Sequence, residues 1–199
     1  MVTGMARKQG SHSDITGPKV RAAALRLVAQ NGFAAVSMRQ IAGEVGVQAG
    51  ALYNYTPDKQ SLLLTLLQAH MDDLLAGWAA WDVPDDPMDA LRSFVNFHIT
   101  HHFTRQDSLF ISYMELRNLT PENFKILEVQ RREYEAQLEG ILRRGCEAGL
   151  FGLKDVRLAA MAIIPMLNGV SQWFDAKGRL SLEEVCDQYW AFVKGVVDA

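Results

Sequence analysis

Three histidines, His98, His101 and His102, stand at i, i+3 and i+4, a spacing that brings them to one side of any helix that carries them. Two imidazoles so placed suit a zinc ion, but a zinc site needs further ligands, and neither HExxH nor ExxH occurs in the chain. Asp82, Asp85, Asp86 and Asp89 form an acidic stretch that reads as solvated surface. GxSxG, the P-loop and GxGxxG are all missing. The expectation is therefore no metal, no cofactor and no enzyme. Different chemistry is offered by residues 37–59, where small, polar and aromatic side chains alternate with apolar ones. Gln48, Ala49 and Gly50 leave the start of a short helix uncluttered. Gln48 suits an adenine edge in a major groove, and Tyr53 and Tyr55 pair a flat ring with a hydroxyl for phosphate oxygens.

Those residues need a scaffold. After Pro18, Val20, Ala23, Ala24, Leu27 and Val28 keep helical spacing until Asn31-Gly32. Ser37 caps a second helix that Gly46 breaks, and a third runs from about Gln48 to Asn54. The layout is that of a helix-turn-helix. Charge agrees: residues 1–60 hold seven lysines and arginines against three acidic residues, and the remainder hold thirteen against twenty. A basic end on an acidic body suits a polyanion such as double-stranded DNA.

The remainder reads as helices. Thr56-Pro57-Asp58 opens a fourth, with Thr56 as the cap. A fifth spans about Met88–Thr104 and a sixth Asp107–Asn118. Thr120-Pro121 opens a seventh, Asp155 an eighth that runs to about Ala176, and Ser181 a ninth. No stretch alternates with period two, so the fold class is all-α, with about nine helices and no sheet. Residues 1–16 read as a flexible arm, 17–62 as the DNA-binding head and 63–199 as the body. Cys146 and Cys186 form no CxxC pair and read as core thiols. No apolar run is long enough for a membrane span, so a cytoplasmic protein with no membrane contact is expected.

The run Val36-Ser37-Met38-Arg39-Gln40-Ile41-Ala42, then Gly46-Val47, then Gly50-Ala51-Leu52-Tyr53-Asn54-Tyr55, then Pro57-Asp58-Lys59 and Leu62, resembles the TetR-family head. The family's aromatic before the proline is replaced here by Thr56. The resemblance implies that Ser37, Arg39 and Lys59 touch phosphate. It also implies that Gln48, Ala49 and Gly50 face bases, and that Tyr53 and Tyr55 brace against the backbone. It further implies a body that binds a small molecule and dimerises on its last two helices. There Val185, Tyr189 and Val193 form an apolar stripe that a second copy would cover.

In the body, Phe97, Phe103, Phe110, Tyr113, Met114, Met166 and Trp173, with Arg117 at the mouth, either line a long apolar cavity or fill an ordinary core. The segment from Phe110 to Glu122, with Gly169-Val170 and Trp173-Phe174, resembles TetR bodies that sense acyl-CoA thioesters. The implied function is a ligand-responsive repressor. Its implied partners are a palindromic operator, a second copy and an acyl-CoA-like effector. The alternatives are a multidrug-efflux repressor responding to aromatic or cationic drugs, and a helical adaptor that binds no DNA.

Overall fold

The computed structural model describes residues 10–198, and every described element is helical. Ten α-helices and one 3₁₀ turn (Leu116–Asn118) are present among them. Helix α1 (Gly10–Asn31) starts earlier than its apolar pattern predicts, and Pro18 lies inside it. Pro18 lies more than two turns into the helix, where proline removes the backbone hydrogen bond to the carbonyl four residues earlier; it faces solvent. Residues 10–16 of the expected arm are therefore helical, and residues 1–9 lie outside the described residues.

Local capping chemistry sets most of the other boundaries. Ser37 and Gln40 form a reciprocal capping box at the start of α2 (Met38–Val45), and Gly46 ends that helix in the left-handed region at φ 71°. Helix α3 (Ala49–Leu52) is a single turn. Helix α4 (Lys59–Ala79) is capped by Asp58, whose carboxylate accepts from the Ser61 amide at 2.7 Å. Thr56 is therefore not the cap. Its hydroxyl donates to the Asp58 carbonyl at 3.0 Å, buried in the turn that precedes the helix. Asp86 and Thr120 cap α5 (Pro87–Phe103) and α7 (Pro121–Glu147), each with proline in the first turn. Between them lies α6 (Gln106–Met114). The expected eighth helix is two, α8 (Val156–Asn168) and the single turn α9 (Val170–Trp173), parted at Gly169. A second capping box, Ser181 with Glu184, opens α10 (Leu182–Val197).

One apolar core runs through head and body, because α4 belongs to both. Its first turns bury Leu62 and Leu63 beside Val20, Ala24, Ile41 and Leu52. Further along, Leu67, Met71 and Leu74 join Phe94, Leu138 and Ile163. A polar junction reinforces this where the head meets the end of α6. Glu115, only 5% exposed, accepts from the Phe33 amide at 3.3 Å, and Lys59 donates to the Phe33 carbonyl. Gln60 donates to the Asn118 carbonyl at 2.6 Å and accepts from the Thr120 amide at 3.2 Å. Head loop, α4 and the α6–α7 connection are thus tied by main-chain and side-chain hydrogen bonds together.

Candidate nucleic-acid interface and effector cleft

Helices α2 and α3 present one polar, exposed end of the molecule. Gly46 reverses the chain between them, so that Gln48, Ala49 and Gly50 are all exposed at the start of α3. A Cβ placed on Gly50 would meet no protein atom, so this surface is open to an approaching partner. Gln48 stands at the N-cap position and makes no capping bond, which leaves its amide free. Tyr53 is 55% exposed, a large amount for an aromatic side chain. Ser37 and Arg39 are exposed on the adjoining start of α2, with the Ser37 hydroxyl engaged in its capping box. Arg26 of α1 pairs with Glu44 of α2 across the surface of the head.

Two further expected contacts are less exposed. Tyr55 is half-buried against the core, beside α1. Lys59 turns inward. Its ammonium lies 4.2 Å above the Phe33 ring as well as on the Phe33 carbonyl, and loss of hydration lowers its pKa. In this conformation it is a structural lysine and does not reach toward phosphate.

In the body, a cleft opens between α4, α5, α6, α7 and α8. Met71, Leu74, Leu109 and Ile164 give it apolar walls, and Tyr113, Arg131 and Glu135 also line it. The enclosed space is about 40 Å³, enough for water-sized groups and too little for a chain. Of the expected lining residues, only Tyr113 is there. Phe97 is buried against Trp78 and Trp81, with ring centroids 5.3 Å away in each case. Phe103 packs edge-on to Phe174 at 5.5 Å. Phe110 and Met114 project from α6 to the exterior, Arg117 is exposed on the 3₁₀ turn, and Met166 is half-buried. Trp173 is exposed and stacks on Tyr189 at 6.3 Å. This cleft is thus narrow and partly polar, and Phe103 instead lines a separate, wider surface cleft of about 650 Å³ with Phe174 and Arg105.

The floor of that cleft is a histidine cluster. His98 and His102 of α5 meet His70 of α4, with His98–His102 centroids 4.4 Å apart and His70–His102 centroids 5.4 Å apart. His98 Nε2 donates to Asn168 Oδ1 at 2.9 Å, and the Tyr134 hydroxyl donates to His98 Nδ1 at 2.9 Å. His102 Nδ1 donates to the His98 carbonyl at 2.7 Å. His101 lies to one side, its Nε2 3.1 Å from Asp73 Oδ2 but poorly aligned for a hydrogen bond, and Arg105 clamps the same carboxylate. Gly77 lets α4 approach here, since a Cβ on it would sit 2.9 Å from the His101 ring. Burial is the main cause that lowers the pKa of all four histidines, to about 4 for His70 and His98. No group of three or more His, Cys, Asp or Glu among the described residues is arranged to hold a metal. His70, Tyr134 and Asn168 were not expected at a site. A histidine between Leu66 and Leu74 on a leucine stripe was the available signal.

A helix-turn-helix head with an exposed reading face, on a helical body with its own cleft, defines a DNA-binding transcriptional regulator. Family profiles agree at both ends. Residues 20–66 match the bacterial regulatory proteins of the tetR family, and residues 84–197 match the tetracyclin repressor-like C-terminal domain. The chain belongs to the TetR family. It is similar to the transcriptional repressor KstR2 of Mycobacterium tuberculosis H37Rv, 25% identical over 178 residues, covering 86% of this chain and 88% of that protein. A solved TetR-family regulator from Rhodococcus RHA1 superposes with a TM-score of 0.85 at 31% identity, over 92% of this chain and 96% of that one. AibR, solved with isovaleryl coenzyme A and operator DNA, shares the fold at TM-score 0.79 and 23% identity, over 92% and 98% of the two chains. No described helix is long and apolar enough to cross a membrane.

Proposed function

We propose that this chain is a cytoplasmic repressor that binds a palindromic operator as a homodimer and leaves it when an acyl-CoA thioester enters the body cleft. Residues 17–62 act as the reading head and 63–199 as the sensing body, with α4 shared between them. Ser37, Arg39, Tyr53 and Tyr55 serve the DNA backbone, and Gln48, Ala49 and Gly50 serve the bases. The observation that carries the reading is the placement of the cleft. Its walls include α4 and α6, the two body helices that also hold the head through Gln60, Lys59 and Glu115. A ligand that parts those helices moves the head. A tenfold loss of operator affinity needs about 1.4 kcal/mol of difference between the two states.

The acyl-CoA class is supported by the apolar cleft walls and by AibR, which was solved with such a thioester. Arg131 at the cleft is available for CoA phosphates, whereas Arg105 is committed to Asp73 and Arg132 to Glu128. Fluorescence anisotropy with DNA from upstream of the protein's own gene tests the reading. Binding is expected at roughly 10⁻⁸ M or tighter. Octanoyl-CoA is expected to weaken it, and CoA alone to leave it unchanged. Tyr53→Ala is expected to weaken binding on all sequences, and Gln48→Ala to change base preference. Release by a planar aromatic drug but by no acyl-CoA replaces the effector class with the multidrug reading. Failure to bind any of this DNA ends the repressor reading.

A further inference from the structure

The cleft has a histidine floor below walls of mixed polarity, and the floor is incompletely bonded. His70 Nδ1 and His102 Nε2 are both buried without a hydrogen-bond partner, on side chains whose residues are 5% and 3% exposed. Both residues line the cleft. Buried polar atoms without partners are rare in folded proteins and call for an explanation. No side chain of the lining supplies one: neither Tyr113 nor Arg131 bonds to either nitrogen, and two other protons are already placed. The Tyr134 hydroxyl is given to His98, and the Ser112 hydroxyl to the Leu109 carbonyl at 2.8 Å.

The tautomer of His102 says what the missing partner is. Its Nδ1 points at a carbonyl oxygen, so that nitrogen carries the proton. Burial and the adjacent His98 and His70 keep the ring neutral. The remaining nitrogen, Nε2, therefore presents a lone pair to the cleft and can only accept. Within an acyl group a thioester carbonyl, a carboxylate or an ether offers nothing to a lone pair, whereas a hydroxyl on the acyl chain does; the amide N–H groups of the CoA arm are common to every acyl-CoA. His70 Nδ1 is donor or acceptor according to its tautomer, and a hydroxyl serves either.

We infer that the effector bears a hydroxyl, which His102 Nε2 accepts at the floor of the cleft with His70 beside it. This rests on the reading of the cleft as the effector site and narrows it from apolar thioesters to hydroxylated ones. Sites that hydrogen-bond a ligand hydroxyl reject the analogue lacking it far more strongly than apolar pockets reject a missing methylene.

The test is isothermal titration calorimetry of the full chain with octanoyl-CoA and with its 3-, 5- and 8-hydroxy derivatives. At least one hydroxylated probe is expected to bind about tenfold tighter than octanoyl-CoA, the size of effect an unpaired buried acceptor produces. In His102→Leu the ratio of the hydroxylated to the plain probe's affinity is expected to fall to about one. A second measurement needs no variant. Long-range ¹H–¹⁵N spectra of the imidazoles are expected to show His102 Nε2 unprotonated, and to show it shifting with the preferred hydroxylated probe but not with octanoyl-CoA. If all four probes bind alike, the floor holds water only, and the hydroxyl inference falls while the effector cleft stands. If none binds, both fall. A protonated Nε2 in the free protein overturns the inference whatever binds.

Discussion

His70 and His98 are held neutral in the folded chain, with pKa values pushed down to about 4, first by burial. An unfolded histidine titrates near 6.5, so below that pH the unfolded chain takes up protons that the folded chain refuses. Stability is thus complete above about pH 6.5 and drains as the pH falls toward 4. Between pH 7 and pH 5 the loss is about 2 kcal/mol for each of the two rings. Urea denaturation at pH 7, 6 and 5 checks this, with the midpoint expected to fall steadily. A flat midpoint would mean that the rings are not buried neutral. Single residues also divide roles that sequence had joined. Tyr53 and Lys59 both look like phosphate contacts in the sequence, yet Tyr53 stands in solvent and Lys59 is folded onto Phe33.

Among the elements, α8 and α10 show which apolar side chains still lack cover. Val185 and Val193 were expected on a stripe for a second copy, but both are buried in the chain's own core and Tyr189 is half-buried. The outward apolar residues are Leu158 and Met161 of α8 and Phe192 of α10, 63%, 56% and 55% exposed. Phe192→Asp with Leu158→Asp is therefore expected to give a folded monomer with weakened operator binding. Val193→Asp is expected to unfold the chain instead. Sedimentation velocity and circular dichroism together separate these outcomes, and wild-type protein that sediments as a monomer at micromolar concentration would remove the dimer. Capping at Ser37, Thr120-Pro121 and Ser181 was legible in the sequence because it is local, each acting within one turn, whereas at α4 the same reading chose Thr56 and Asp58 is the cap. The face of α10 was not legible, because a helix apolar on several sides does not say which side its own core takes. The cleft was not legible either. It needs residues from five helices, and periodicity along one helix carries no information about its neighbours.

Across the whole molecule, the cleft and the head are joined by the apolar core along α4 and by a polar junction in which Glu115 is central, the route that the proposed release would use. Leu109, Ser112 and Tyr113 of α6 line the cleft, and the residue that ends α6 is Glu115, bonded to the head. Glu115→Ala leaves the Phe33 amide buried and unpaired, which costs about 1–3 kcal/mol. In that variant octanoyl-CoA is expected to bind as before but to release operator less. Glu115→Gln keeps an acceptor and is expected to restore most of the response. Parallel anisotropy and calorimetry measure the two effects, and an undiminished release in Glu115→Ala would deny the junction its role. Phe33 enters this junction through its amide and its carbonyl, atoms that every residue except proline possesses in full. Glu115 therefore holds the head loop by a main-chain atom, whatever side chain stands at position 33. Reading helices can diversify toward new operators while the attachment stays constant. A graft between relatives must therefore keep the glutamate at position 115 together with Gln60 and the apolar packing along α4 for a foreign head to answer to this body.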